Sequence, residues 1–331
     1  MRATSLLELH GVTKRFSPPQ DLIGRWGQRM GLTSPPPVVH AVSDVSLRVE
    51  RGEVVGLVGE SGCGKSTLGR MAAGISAATA GEVRYEGSWV GGMTNAQRKD
   101  FELGVQMVFQ NPFASLNPRL RIGEAIGEAA VLHGLAPKAQ VADYVAELMR
   151  KVGLDPAYAG RYPHQFSGGQ RQRIVIARAL AVKPKLLVCD EAIAALDVSI
   201  QAQVINLFMA LRAELALGML FISHNLAVVE HIADRVVIMY LGRVVESAPT
   251  AMLFSQPNHP YTRALMAEVP TLQVGRRSFA PIQGELPSPL APPPGCAFHP
   301  RCPKAGARCK AEAPVLQQLT PGHWSACHLN D

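Results

Sequence analysis

Apolar residues recur along this chain with two periods, and the switches between them predict where strands and helices lie. Leu6–Phe16 (LLELHGVTKRF) reads as a first strand and its end. Alternation resumes at Val42, Val45, Leu47 and Val49 and passes through a turn at Arg51–Gly52. The continuous apolar run Val54–Val58 that follows predicts a buried strand. Ser66 to about Ile75 then reads as a helix, Gly81–Tyr85 as a strand and Thr94–Phe101 as a polar helix. Val105–Phe109 is a short buried strand that closes at Gln110. Two helical patterns, Gly123–His133 and Lys138–Val152, are broken at Gly134–Pro137. Phe166–Leu180 predicts a turn opening a long helix, and Lys185–Cys189 a buried strand ending in Asp190–Glu191. Ser199–Leu215 reads as a helix and Met219–Ile222 as a strand ending at His224; Arg235–Tyr240 and Arg243–Glu246 form a closing hairpin. Strands alternating with helices in this way predict an α/β fold, with a largely parallel sheet covered on both faces.

Two stretches interrupt the pattern. Residues 17–40, punctuated by Pro18, Pro19, Pro35, Pro36 and Pro37, read as a surface insertion with a short helix around Leu22–Trp26. From Val269 onward Pro and Gly rise and long periodic segments stop, which sets a domain boundary near 256–280. A chain of 331 residues accommodates one large domain and a smaller appendage. With 47% hydrophobic and 18% charged residues it fills a core, which excludes fibrous and disordered classes. The net charge of +7 admits nucleic acid or an anionic membrane surface as partner. No Lys/Arg run interleaved with aromatics occurs, so charge alone does not point to nucleic acid. The N-terminus lacks the apolar run of a signal peptide. No segment approaches the ~18 uninterrupted apolar residues of a membrane span. The expectation is a cytosolic protein, or one attached to a membrane only through other proteins.

The densest chemistry lies at Gly59–Thr67, GESGCGKST. Gly59, Glu60, Ser61, Gly62, Cys63, Gly64, Lys65, Ser66 and Thr67 fit the phosphate-loop pattern position by position, between a predicted strand and a predicted helix. Glycines let backbone amides curl round an anion, and the helix that follows aims its positive N-terminus at it. Lys65 is placed to neutralise phosphate charge, and the Ser66 hydroxyl to ligate Mg²⁺. Cys63 occupies a free position of the loop as a small residue. Phe16, at the end of the first strand, is a candidate to stack on a flat base.

Gln110, the FSGGQRQ stretch with Ser167, Gly168, Gly169 and Gln170, Asp190–Glu191 and His224 follow in an order that identifies a family. The chain resembles the ATP-binding subunits of ATP-binding-cassette (ABC) transporters along essentially its whole length. The resemblance implies a phosphate-loop ATPase fold: a mostly parallel sheet core, an antiparallel β subdomain and a helical subdomain inserted at about 111–170. It implies ATP hydrolysis, with Ser66, Gln110 and Asp190 toward Mg²⁺, Glu191 as general base and His224 on the γ-phosphate. Ser167–Gln170 open a helix and make a second anion site, which in the family closes on ATP held by another subunit. The same logic places Asp197, in AALD, at the subunit contact. Ala192, Ala194 and Asn225 depart from the family's usual Pro, Ser and Asp; none removes a phosphate ligand or the base.

NPFASLNPR (Asn111–Arg119), ALDVSIQAQV, HPYTRAL (His259–Leu265) and GELPSPLAPPPGCAFHPRC (Gly284–Cys302) resemble the bacterial peptide-importer branch, which also takes up nickel complexes. That resemblance implies an ATPase domain over 1–255, a C-terminal extension over 256–331 and a peripheral place on the cytoplasmic side of the inner membrane. It implies as partners a second, related ATPase, two membrane permeases and an external solute-binding protein, with no nucleic acid. The solute is set by those other subunits. Cys296, Cys302, Cys309 and Cys327 are spaced by five, six and seventeen residues, wider than a zinc ribbon. Four thiolates suit Zn²⁺ or a 4Fe–4S cluster, and the resemblance of the tail favours iron–sulphur.

Overall fold

The computed structural model describes residues 5–18, 36–267, 282 and 284–330. The expected helix at Leu22–Trp26 lies outside the described residues, as do positions 19–35 of the expected insertion.

Among the described residues twelve strands form two sheets. In chain order they are β1 Leu7–Phe16, β2 Val39–Val49, β3 Val54–Val58, β4 Ala80–Tyr85, β5 Ser88–Trp89 and β6 Val105–Val108, then β7 Leu186–Asp190, β8 Gly218–Ser223, β9 Arg235–Tyr240, β10 Arg243–Pro249, β11 Gln317–Thr320 and β12 His323–Ser325. The smaller sheet, ordered β2-β1-β4-β5, is antiparallel. The larger runs β11-β12-β10-β9-β3-β8-β7-β6. Its pairs from β9 through β3, β8 and β7 to β6 are parallel, and those from β9 to β11 antiparallel. The expected α/β architecture with a mostly parallel core and an antiparallel sheet is present.

Burial explains the choice of elements. β3, β7 and β8 are wholly buried and apolar or small apart from Asp190, which closes β7, as strands covered on both faces must be. One face of the large sheet packs on the helices Gly168–Leu180 and Val198–Leu215, sharing a core with the helical insert and with Phe298 of the tail. The other face packs on β1, β2 and the helix Lys65–Ala72, around Leu57, Leu68, Met71 and Phe101. The insert comprises Ile122–Leu132 and Val141–Lys151, close to their predicted bounds. The helix after β3 stops at Ala72, short of Ile75, because Gly74 turns left-handed (φ +70°) against the Phe101 ring. Among the described residues no helix is long and apolar enough to cross a membrane.

The C-terminal extension is stitched to this frame. β12 pairs with β10, and the Pro260–Ala267 helix buries Tyr261, Thr262 and Leu265. Glu246 on β10 is fully buried and accepts from the amides of Asn258 and His259 (both 2.8 Å), with His323 Nε2 of β12 at 2.7 Å. A buried carboxylate survives only when its oxygens are bonded, so this latch holds three segments at once.

Candidate active site

The loop after β3 curls back on itself because two glycines permit it. Gly64 sits at φ +104°, and a Cβ there would lie 2.1 Å from the Ala41 carbonyl; at Gly59 it would lie 2.1 Å from that of Met239. Lys65, 4% exposed, folds its ammonium under the loop and donates to the carbonyls of Gly59 (2.7 Å) and Glu60 (2.9 Å). A cationic head is thereby parked beneath a ring of backbone at the N-terminus of the Lys65–Ala72 helix, a setting made for phosphate. Ser61 and Gly62 stay exposed at the loop's rim, and Ser66 and Thr67 are half-buried. Cys63 is buried and its thiol is pushed up by that burial, so it stays protonated and acts as packing.

The carboxyl ends of the neighbouring parallel strands bring the other predicted residues to this loop, as open α/β sheets do. Asp190 ends β7, 5% exposed, and accepts from the Ser66 hydroxyl at 2.8 Å. Burial raises its carboxyl above the usual range, with the Ser66 bond opposing. This hard oxygen pair fits a small divalent cation. Glu191 leaves the strand in a left-handed conformation (φ +48°), its amide bonded to the Ile222 carbonyl of β8 at 3.0 Å. That sparsely populated turn aims the carboxylate at two groups. Gln110 Nε2, after β6, donates to it at 2.9 Å, and His224 Nδ1, after β8, lies 3.5 Å away. A carboxylate bonded to an amide and flanked by an imidazole can orient and deprotonate a water.

Ser167 caps the helix Gly168–Leu180: its hydroxyl accepts from the Gln170 amide (3.3 Å), and the Gln170 side chain accepts from the Ser167 amide (3.0 Å). Arg171 braces this start from below, donating to Pro163 and His164 carbonyls with its guanidinium over Phe113. Among the described residues no hydrogen bond or ion pair links Ser167–Gln170 to the phosphate loop. Asp197 precedes the helix Val198–Leu215, exposed and without a capping bond. Phe16 is 46% exposed at the end of β1, with Lys14 over its ring at 5.0 Å. Asn225, one of the three departures, accepts from the amides of Ala227 and Val228 and so does the capping work an Asp would do.

Cys296, Cys302, Cys309 and Cys327 line one small void together with His259 and Phe298. Burial pushes the thiols of Cys296, Cys302 and Cys327 up, opposed in each by a backbone amide two residues on, from Phe298, Lys304 and Leu329. In donor type alone the four sulphurs are thiolate ligands. No three His, Cys, Asp or Glu side chains stand in coordinating geometry among the described residues.

Two residues of the extension that sequence reasoning did not single out reach the phosphate loop at Glu60. The Tyr261 hydroxyl accepts from the Glu60 amide at 2.9 Å, and Arg301 Nη1 donates to both Glu60 carboxylate oxygens at 2.9 and 3.0 Å. Both lie in motifs read only as branch markers, HPYTRAL and CAFHPRC.

Residues 42–194 match the ABC transporter family, and residues 245–309 the C-terminal region of oligopeptide/dipeptide transporters. The chain is 48% identical to the di/tripeptide transport ATP-binding protein DppF of Pseudomonas aeruginosa, over 93% of this chain and 96% of that one. It is 46% identical to the oligopeptide transport ATP-binding protein AppF of Bacillus subtilis, over 98% and 97%. OppF of Salmonella typhimurium, also an oligopeptide transport ATP-binding protein, is 49% identical over 86% of each. In fold the chain is similar to cbiO1 from Clostridium perfringens (TM-score 0.63, 22% identity, 76% of this chain and 92% of that one). It is equally similar to a post-hydrolysis dimer of the ATP-binding cassette MJ0796 (TM-score 0.62, 24% identity, 74% and 98%).

Proposed function

The chain belongs to the ATP-binding subunits of oligopeptide/dipeptide ABC transporters, and from that premise we propose how its residues energise import. It is an ATPase whose cargo, through its transporter, is di- and oligopeptides. One observation carries the catalytic reading: Gln110 and His224 converge on the Glu191 carboxylate, one residue from the Asp190–Ser66 pair.

ATP lies with its phosphates on Gly59–Thr67 and its base toward Phe16. Lys65 turns from the Gly59 and Glu60 carbonyls to the β- and γ-phosphates. Ser66, Asp190 and Gln110 would hold Mg²⁺, which would neutralise charge on the transferring phosphoryl group. Glu191 takes a proton from the attacking water, Gln110 orients that water, and His224 donates to the γ-phosphate. Ser167–Gln170 close on the ATP of a second, related ATPase subunit, with Asp197 at the contact between them. Closure pushes on two permeases that receive peptide from an external binding protein, at the cytoplasmic face of the inner membrane. Residues 1–255 form the motor and 256–331 the extension.

In the extension the four cysteines would be the ligands of a structural centre. The tail's likeness to the peptide-importer branch favours 4Fe–4S. The second reading is a single Zn²⁺ on the same four thiolates. Metal and sulphide analysis of the anaerobically purified chain, with each Cys→Ser variant, separates the two; protein devoid of iron and zinc defeats both. The functional test is uptake by proteoliposomes carrying the full transporter. Di- and tripeptides are expected to stimulate MgATP hydrolysis and accumulate. Stimulation by a nickel complex and by no peptide would overturn the cargo assignment.

A further inference from the structure

Phosphate loops are ordinarily held by their own strand and helix; this one has two additional handholds from the far end of the chain. Glu60 is the meeting point. Its amide donates to Tyr261, its carboxylate pairs with Arg301, and its carbonyl, with that of Gly59, accepts the Lys65 ammonium. Tyr261 is fully buried and the Arg301 side chain is 5% exposed, so neither contact is a casual surface pair. A guanidinium that deep persists only where its partner is fixed. Phe298 wedges against both Tyr240 and Tyr261, ring centres 5.2 and 5.3 Å away, which sets the Tyr261 ring and carries Arg301 three residues on. The extension touches the same end of the cassette again where the His40 amide donates to the Pro289 carbonyl at 2.9 Å.

We propose that Tyr261 and Arg301 are positioning residues for ATP binding: they fix the Glu60 peptide, and through it the carbonyl platform that presents Lys65 to the phosphates. The C-terminal extension is then part of the nucleotide site's support. The effect falls on ATP affinity, because neither residue is placed to act on the water or on Glu191. This rests on reading Gly59–Thr67 as the phosphate-binding loop.

The test measures ATPase rate against ATP concentration in the assembled transporter, with fluorescent ATP titrated into the full chain. Tyr261→Phe removes one oxygen from a packed ring and leaves the Glu60 amide without its acceptor. Arg301→Met keeps the stem and removes the charge. Each is expected to raise KM for ATP and the ATP dissociation constant about fivefold to tenfold, with kcat within about twofold. Arg301→Lys, which keeps a charge at Glu60, should recover most of that loss. Adding Glu60→Gln to Arg301→Met should cost nothing further, since the pair is already broken. A merely structural brace predicts the opposite: lowered melting temperature with KM unchanged, and that result in Tyr261→Phe overturns the proposal even if Arg301→Met fails to fold. Lys65→Ala separates the underlying reading: normal ATP binding by that variant removes the phosphate loop itself, and this proposal with it.

Discussion

The two anion sites proposed for this chain are built from the same device, a helix N-terminus, yet they differ in how much of their surroundings the chain supplies. Around Gly59–Ser66 it supplies nearly everything: a buried ammonium, a hydroxyl–carboxylate pair, a carboxylate with two partners and a brace from the extension. Around Ser167–Gln170 it supplies a cap and little else, and the first amides of that helix have no intrahelical partner. Ser167 is exposed and Asp197 makes no capping bond. One end is a finished receptor and the other is half of one. On the proposed reading, an ATPase divided this way fires only when a second subunit completes the open half.

Each variant tests that division. Glu191→Gln keeps the hydrogen bond from Gln110 and removes the base; MgATP hydrolysis should fall about 10²- to 10⁴-fold while ATP still binds. Turnover near the native rate, measured by phosphate release, would sink the assignment. Lys65→Ala strips the finished end of its cation, and fluorescent-ATP titration should show affinity reduced roughly 10²-fold. Ser167→Arg blocks the open end. Binding by the isolated chain should stay within about twofold, while ATPase of the assembled pair drops roughly thirtyfold. Equal losses in both assays would erase the distinction between the ends.

A fourth prediction concerns the brace. Burial lowers His259 to about 4, against 6.5 for an ordinary imidazole. Above pH 6.5 folded and unfolded chains are both neutral there and nothing is lost. Below it the unfolded chain takes a proton that the folded chain refuses, so stability declines as pH falls toward 4. At pH 5.5 this one group costs about tenfold in the folding constant. His259→Asn keeps an acceptor for the Tyr261 amide and should flatten that part of the pH profile of the urea midpoint; an unchanged profile would reject it.

The finished end was the more legible of the two in the sequence. Glycine spacing, a Lys–Ser pair and carboxylates closing apolar strands are local signals, and parallel pairing then brings β3, β6, β7 and β8 to one edge. Glu191's left-handed turn left no such mark, because a Glu at φ +48° is dictated by the site and not by propensity. β11 and β12 escaped notice for a different reason. At four and three residues, in a Pro-rich tail with polar alternation, they become strands only because β10 offers β12 an edge and β12 offers one to β11. The roles of Tyr261 and Arg301 were invisible for the strongest reason of all. Nothing near either residue points to Glu60; only the folded chain brings them together.

Those two contacts span 201 and 241 residues of chain. A ribosome makes this protein from the other end, so the phosphate loop emerges long before the residues that steady it. Contacts so distant form late, after the intervening chain has collapsed. A nascent or prematurely terminated product therefore carries every nucleotide motif while its loop still lacks two of its anchors. If Tyr261 and Arg301 position the loop as proposed, its full grip on ATP comes only after residue 301 has been made, and a chain broken off earlier holds the nucleotide more weakly.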